Sequence, residues 1–265
     1  MFLYPISDIH GLMYDMTDKF LKGLIEKPVA EHNDLVVVIA GDFCDRLLGI
    51  TLAQRMLNMF PNIHIVYVPG NHEYYGTSIE VLSHDLMKSS QYIERLHVLD
   101  GMYINTAKID DVTFIGGTLW TDFNKQNTAV MNVAQREMND YNYIYHGGHG
   151  TISTNRTVNE HYEQRKAIFK ALKKTEGKRV VITHHKPFLD VIRDPLSYAY
   201  CVDLSKNLDG LEKEQLPTYW FYGHTHRSDV TTQKYKNGEV TFISNQYGYP
   251  SELSTGWSEL CVWEI

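Results

Sequence analysis

Several short segments of this sequence combine histidine, aspartate and asparagine in patterns that suit metal binding. They are residues 7–11 (SDIHG), 41–46 (GDFCDR), 70–73 (GNHE), 183–187 (THHKP) and 223–226 (GHTH). Mixed imidazole, carboxylate and amide donors favour zinc, manganese or iron over calcium. Together the segments supply enough ligands for two metal ions, and the candidate ligands are Asp8, His10, Asp42, Asn71, His184, His224 and His226.

The charges of these candidates indicate what a dinuclear site would bind. Two divalent ions carry more positive charge than the carboxylates of Asp8 and Asp42 neutralise, and neutral histidines and Asn71 add none. The surplus favours an anion, and a phosphate ester fits. A pair of metal ions can hold the attacking hydroxide and stabilise the leaving oxygen of such an ester.

The candidate ligands follow predicted strands. Apolar runs predict strands over residues 2–7, 35–40, 63–68, 180–183 and 218–222. Helical spacing predicts helices over 16–27 and 50–60, with Pro28 ending the first. This β-α-β-α-β order predicts an α/β fold with a parallel sheet, whose strand ends bring together side chains distant in sequence.

The rest of the chain is less regular. Strands are predicted over 98–104, 112–115, 230–235, 239–244 and 259–263, and helices over 130–138 and 163–172. A glycine-rich, aromatic segment over 141–154, with His146 and His149, is predicted to be a loop or flap that could reach the site. We expect a single domain over residues 1–265 with a flap insertion at about 120–165.

Aromatic residues in and near the flap allow two interpretations. They could form a wall that stacks a nucleobase, or they could pack the flap onto the core. Packing is the favoured interpretation. The residues concerned are Trp120, Phe123, Tyr141, Tyr143, Tyr145 and Tyr249.

Composition excludes several classes of protein. The 265 residues are 43% hydrophobic and carry a net charge of -7, so extended nucleic acid and anionic membrane are unfavourable partners. The 3 cysteines are scattered, which argues against a disulfide framework. The first residues lack the features of a signal peptide, and apolar runs are too short to span a bilayer. We therefore expect a cytoplasmic protein, and its oligomeric state stays open.

The motif series D-x-H, G-D, G-N-H-E, H and G-H-x-H resembles the calcineurin-like metallophosphoesterase superfamily over almost the whole chain. The resemblance implies a four-layer α/β/β/α sandwich and a phosphoesterase in which metal-bound hydroxide attacks phosphorus. It implies that Asp42 bridges the two metals. One metal would be bound by Asp8, His10 and His226, and the other by Asn71, His184 and His224.

The same resemblance assigns roles to further residues. His72 would stand beside the phosphate and assist the leaving group, and Glu73 would orient His72. His184 is preferred to His185 because it directly follows the strand at 180–183. The segment GDFCDR is similar to GDxxDRG of the Ser/Thr protein phosphatases, so Arg46 would bind phosphate. A surface Arg46 paired with its neighbour Asp45 is an equally weighted alternative.

Within the superfamily, the chain is most similar to small bacterial and phage phosphoesterases that carry TLWTDF, MNDY, THHxP, GHTH and GYP segments. That group has an arginine where this chain has Tyr247. We expect two divalent metals, manganese being favoured over iron, zinc or nickel, and a small nucleotide-like phosphodiester as substrate. The alternatives are a phosphomonoesterase or protein phosphatase, and a non-catalytic metal-binding scaffold.

Overall fold

The computed structural model describes residues 1–148, 150–189, 194–252 and 254–265, so His149 lies outside the described residues. The strands are β1 (Phe2–Ile6), β2 (Leu35–Ala40), β3 (His64–Val68), β4 (Leu96–Val98), β5 (Thr106–Ile109), β6 (Val112–Gly117), β7 (Lys178–Thr183), β8 (Tyr219–Phe221), β9 (Asp229–Tyr235), β10 (Gly238–Ser244) and β11 (Trp263–Glu264).

Helices alternate with the first strands and then cluster in the middle of the chain. They are α1 (Asp18–Glu31), α2 (Leu48–Met59), α3 (Ile79–Ser90), α4 (Phe123–Gln126), α5 (Thr128–Glu137), α6 (Asp140–Tyr143), α7 (Thr154–Lys174), α8 (Ser197–Tyr200) and α9 (Ser205–Asp209). Single 3-10 turns span Gly11–Met13, His72–Tyr74 and Lys213–Gln215. Within the described ranges, no helix combines the length and hydrophobicity needed to cross a bilayer.

The strands form two mixed sheets. In the first, with order β11-β1-β2-β3-β4, β1 to β4 are parallel and β11 is antiparallel. In the second, with order β5-β6-β7-β8-β10-β9, the four inner strands are parallel and both edge strands antiparallel. The sheets therefore direct the carboxyl ends of several parallel strands to shared edges.

Two cores account for the burial of the strand Leu35–Ala40 on both faces. Val36 and Val38 pack between the sheets, together with Phe114 of the second sheet. Val37 and Ile39 face the opposite way, into the core that the first helices cover. A third core packs α7 and α9 onto the far face of the second sheet. The predicted α/β/β/α layering is thus confirmed.

The prediction that Pro28 ends the first helix is wrong, because α1 continues to Glu31. Proline has no N–H and leaves the carbonyl four residues earlier without its helical partner. Here the Tyr4 hydroxyl donates to that carbonyl, on Leu24, at 3.0 Å. A side chain from β1 thereby satisfies the group that the proline leaves free.

The strand predicted over 98–104 is also wrong. Strand β4 ends at Val98, and the Asp100 carboxylate then accepts backbone N–H groups of Met102, Tyr103 and Ile104 at 2.7–3.0 Å. This side chain competes with the strand ladder and turns the chain. At the C-terminus the strand predicted over 259–263 is also wrong, because β11 spans only Trp263–Glu264. The helix predicted over 163–172 is the second half of α7.

The aromatic residues predicted to form a wall or to pack the flap divide between core and surface. Trp120, Phe123 and Tyr141 are buried in the described structure, which supports the packing interpretation for them. Tyr143 and Tyr145 are about half exposed. Tyr249, from the C-terminal region, is the member of the set that faces the candidate site.

Candidate metal centre

The loops that follow five parallel strands meet at one edge of the two sheets. Asp8 and His10 follow β1, Asp42 follows β2 and Asn71 follows β3. From the second sheet, His184 follows β7, and His224 and His226 follow β8. Their ligand atoms form three overlapping groups, each within 4.8 Å: Asp8, His10 and His226; His10, Asp42 and His72; Asp42, His184 and His224. Asn71 Oδ1 lies beside the third group, 2.9 Å from His184 Nε2. The structure therefore brings together the candidate ligands predicted from the sequence.

Many of these residues have a left-handed backbone. The φ angles are 54° at Asp8, 49° at His10, 50° at Asp42, 71° at His224 and 50° at His226. A residue with a Cβ atom loses about 1–2 kcal/mol in this conformation. Clustered strain of this kind is characteristic of functional sites, where the surrounding structure enforces it.

The first part of the site joins β1 to the second sheet. The Nε2 atoms of His10 and His226 lie 2.9 Å apart. His226 Nε2 lies 3.6 Å from Asp8 Oδ1, and His10 Nε2 lies 3.9 Å from Asp42 Oδ2. Two imidazole lone pairs and two carboxylates thus converge on one small volume.

The second part lies on the other side of Asp42. His184 Nε2 is 3.4 Å from Asp42 Oδ2 and 2.9 Å from Asn71 Oδ1. The other ring nitrogen of His184 lies 2.9 Å from the Ala40 carbonyl, which holds Nε2 toward the site. His224 Nε2 is buried and has no hydrogen-bond partner among the described residues. A buried nitrogen of this kind fits a metal ligand, since buried polar atoms are otherwise paired.

The two adjacent histidines have different surroundings. His184 faces Asp42, whereas His185 Nδ1 lies 3.1 Å from the Thr118 carbonyl. The His185 ring packs between Trp120 and His224, with ring centroids 5.2 Å and 4.2 Å away. This geometry favours His184 as the ligand.

The protonation of the site suits metal ligation. Burial alone would raise the pKa of the Asp42 carboxyl, but His184 and His72 hold it well below its usual range. Burial lowers the pKa of His10 to about 3 and that of His224 well below its usual range. Against its burial, Asp42 raises the pKa of His184 to about 10. His10 and His224 are therefore neutral donors, and a metal would replace the proton on His184.

Among the histidines of the candidate site, His72 has the most exposed side chain. Its side chain is 20% exposed, and its Nε2 lies 4.0 Å from Asp42 Oδ2 and 3.3 Å from the Tyr249 hydroxyl. Its backbone N–H donates to Asp42 Oδ1 at 2.9 Å. These distances also allow His72 to act as a metal ligand with His10 and Asp42.

Glu73 contacts the backbone of two loops. Its Oε2 accepts N–H groups of Asp42 at 3.0 Å and Gly70 at 2.9 Å. Its Oε1 accepts the Phe43 N–H at 2.9 Å and the Tyr67 hydroxyl at 2.6 Å. With both oxygens used in this way, Glu73 positions the Asp42 loop rather than the His72 ring, contrary to the role expected from the resemblance.

We expect Glu73→Gln to destabilise the protein. The amide nitrogen would face backbone N–H donors and leave buried groups unpaired, at a cost of about 1–3 kcal/mol in the free energy of unfolding. Denaturant titration measures this, with exposed Glu163→Gln as the control. Equal unfolding midpoints for the two variants would contradict the positioning role.

A cavity of about 560 Å³ opens onto the candidate metal ligands. Tyr75, Tyr200 and Tyr249 line it together with Met138 and Leu196. Its charged lining residues are Asp42, Glu137, Asp140, Arg227 and Glu252. The cavity thus combines a polar floor with an aromatic wall.

The arginine that lines this cavity is Arg227, and Arg46 is not among the described lining residues. Arg46 is exposed, with a left-handed φ of 53°, and its backbone N–H donates to the Glu73 carbonyl at 2.9 Å. The structure therefore does not bring Arg46 to the cavity. Arg227 directly follows the GHTH segment, and that adjacency is a signal from which it could have been found.

The loop after β10 completes the site. Tyr249 stacks on the His10 ring with centroids 4.2 Å apart, and Glu252 Oε2 lies 2.7 Å from His226 Nδ1. Glu252 also accepts the Tyr249 N–H at 2.7 Å, and Gly248 N–H donates to the Asp8 carbonyl at 2.8 Å. Tyr249 belongs to the aromatic set predicted from the sequence, whereas Glu252 belongs to none of the motifs that point to the site.

Comparison with known proteins relates this chain to a protein family, a viral protein and a solved structure. The family described as calcineurin-like phosphoesterase matches residues 4–228. "Uncharacterized protein L509" of Acanthamoeba polyphaga mimivirus is 30% identical over 277 residues, which cover 93% of this chain and 91% of that protein. The crystal structure of phosphopantetheinyl hydrolase (PptH) from Mycobacterium tuberculosis has a TM-score of 0.63 and 20% identity, covering 94% of this chain and 89% of that chain. The structural likeness shows a shared fold.

Proposed function

Since the chain belongs to the calcineurin-like phosphoesterase family, we propose that its metal centre hydrolyses small, nucleotide-like phosphodiesters. Family membership makes the protein a metal-dependent phosphoester hydrolase and implies a dinuclear divalent centre. The substrate class, the metal and the role of each residue belong to the proposal. The observation that carries it is the aromatic cavity directly above the converging ligands.

The ligand assignment follows the overlapping groups. Asp42 belongs to both metal positions, because its carboxylate lies between the two halves of the site. One position would be completed by Asp8, His10 and His226, and the other by Asn71, His184 and His224. When bound, two divalent ions supply a nucleophile at neutral pH and positive charge for the phosphoryl oxygens.

His72 is assigned to the leaving group. Its ring reaches the cavity, and its Nε2 already lies 3.3 Å from a hydroxyl, that of Tyr249. A substrate oxygen in the place of that hydroxyl would be within reach of the imidazole. His72 would then hold a proton at Nε2 and donate it to the departing oxygen.

The cavity supports a substrate with a planar group. Tyr75, Tyr200 and Tyr249 offer ring faces for a nucleobase, and stacking on an aromatic side chain is worth about 1–3 kcal/mol per base. The volume of about 560 Å³ lies within the range of small-ligand sites. Glu137 and Glu252 line the cavity, and their negative charges would repel a longer polyanion. This supports a compact diester over extended nucleic acid.

Manganese is the proposed metal. The assigned residues provide carboxylate and amide oxygens, which suit manganese, and no thiolate, whereas their imidazoles also suit iron, zinc and nickel. Iron, zinc and nickel are the alternatives.

A reconstitution assay tests the proposal. Metal-stripped protein receives manganese, iron, zinc or nickel, bound metal is counted by mass spectrometry, and bis-p-nitrophenyl phosphate is compared with p-nitrophenyl phosphate. We expect about two metals per chain and faster turnover of the diester, followed by turnover of nucleotide diesters. A preference for the monoester would favour the phosphomonoesterase alternative, and two bound metals without any turnover would favour a scaffold.

The two arginines give a separate prediction. Arg227→Ala removes the cation that lines the cavity, so kcat/KM should fall roughly 10–100-fold, mainly through KM, because charge-assisted hydrogen bonds are worth about 1.5–3 kcal/mol. Arg46→Ala is the matched control and should change kcat/KM by less than about threefold. The reverse ranking would favour the phosphate contact that the sequence motif predicts for Arg46.

A further inference from the structure

We propose that Asp140 is a positioning residue that sets the orientation of the Asn71 amide, so that Oδ1 rather than Nδ2 faces the second metal position. The inference rests on the proposed ligand assignment. Asp140 belongs to the MNDY segment at the start of α6, and it is not among the residues to which the sequence motifs assign a role.

Asp140 is buried directly behind the ligand. Its Oδ1 accepts Asn71 Nδ2 at 2.8 Å and the Tyr75 hydroxyl at 2.7 Å. On the opposite side of the same amide, Asn71 Oδ1 lies 2.9 Å from His184 Nε2. The amide is therefore held between a carboxylate and the metal position.

The chemistry of these groups allows one orientation. Asp140 Oδ1 acts as a hydrogen-bond acceptor here, whereas an amide has one end that donates and one that accepts. A flipped Asn71 would place its carbonyl oxygen against Asp140 and its NH₂ group toward the metal position. The hydroxyl proton of Tyr75 also goes to Asp140 Oδ1, which leaves Asn71 as the second donor to that oxygen.

The fold holds Asp140 in place. The Ile144 N–H donates to the Asp140 carbonyl at 3.0 Å and closes the short helix. The Gly76 N–H donates to the Tyr143 carbonyl at 2.8 Å and ties the loop after Asn71 to that helix.

The second oxygen, Asp140 Oδ2, is buried without a hydrogen-bond partner among the described residues. Burying a carboxylate with one oxygen unpaired is costly. The need for a hydrogen-bond acceptor behind the Asn71 amide accounts for the presence of this buried carboxylate.

Paired variants separate the acceptor oxygen from the charge and from folding. Asp140→Ala removes the acceptor, and the second manganese should bind roughly 10–100-fold more weakly, as is typical when a partner behind a metal ligand is lost. Asp140→Asn can keep an oxygen at the Oδ1 position, so it should bind both metals within about threefold of wild type. Asp100→Ala, which removes another buried aspartate, is the control for structural damage and should keep both metals.

Exchanging the two side chains gives a second test. Its expected outcome would not follow if Asp140 had a structural role alone. Asn71→Asp sets two carboxylates against each other and should weaken the second metal. Adding Asp140→Asn restores a donor–acceptor pair and should recover it. The readouts are metal bound per chain and the electron paramagnetic resonance signal of a coupled manganese pair.

The outcomes distinguish this inference from the proposed function. Asp140→Ala protein that binds both metals at wild-type affinity overturns the inference, as does failure of the double variant to bind more tightly than Asn71→Asp. Wild-type protein that binds two metals without hydrolysing either ester overturns the proposed function only. Wild-type protein that binds fewer than two metals overturns both.

Discussion

Asp42→Asn should reduce the bound metal from about two ions to fewer than one per chain and lower kcat/KM by roughly 10³-fold or more. The carboxylate lies 3.4 Å from His184 Nε2 and 3.9 Å from His10 Nε2, so both metal positions depend on its charge. Metal ions contribute several kcal/mol of transition-state stabilisation, and each 1.36 kcal/mol corresponds to a tenfold rate. Metal counting and steady-state kinetics on the same samples measure the effect.

The substitution preserves shape, which makes the result interpretable. The His72 N–H donates to Asp42 Oδ1 at 2.9 Å, and the amide oxygen of asparagine can accept it in the same way. Exposed Asp15→Asn is the control and should keep metal and activity. Should Asp42→Asn retain two metals, the bridging assignment would be wrong, and each position would be held by its remaining ligands.

The positions of the candidate ligands were predictable because few physical rules determine them. Runs such as LVVVIA must be buried on both faces, which makes them inner parallel strands. Parallel strands place their carboxyl ends on one edge, so side chains such as Asp42 and Asn71 meet there whatever their separation in sequence.

The residues behind the ligands were not predictable in this way. Asn71 and Asp140 are separated by 69 positions, and a hydrogen bond between them depends on how the segment that carries Asp140 folds back onto the site. The same holds for Pro28, whose tolerance inside α1 depends on the Tyr4 hydroxyl of another element. Local sequence patterns do not identify such partners, because aspartate and tyrosine side chains occur in many unrelated surroundings.

Trp120 and Tyr249 illustrate why some of the aromatic residues pack in the core and others face the cavity. Trp120 is buried and packs against the rings of Tyr74 and His185. Tyr249 is carried by a loop whose backbone is tied to Asp8 through Gly248. Composition identifies both as large and apolar. Which of them faces the site depends on the loop that carries it.

His72→Ala should lower kcat roughly 10²–10⁴-fold with metal content unchanged. Its Nε2 is 4.0 Å from Asp42 Oδ2 and its ring faces the cavity, which suits proton donation to a leaving oxygen. The loss should be smaller for p-nitrophenyl esters than for alkyl esters, since p-nitrophenolate leaves without a proton. Single-turnover kinetics with both kinds of ester measure this difference.

Metal content decides between the two roles that the geometry allows His72. It lies close enough to His10 and Asp42 to be a ligand, and a ligand's removal would lower the bound metal. His224→Ala is the matched control, because its buried Nε2 is assigned to a metal and its loss should remove an ion. If His72→Ala also lost metal, or slowed aryl and alkyl esters equally, the proton would have to come from elsewhere. The Tyr249 hydroxyl, 3.3 Å from the same nitrogen, would be the next group to test.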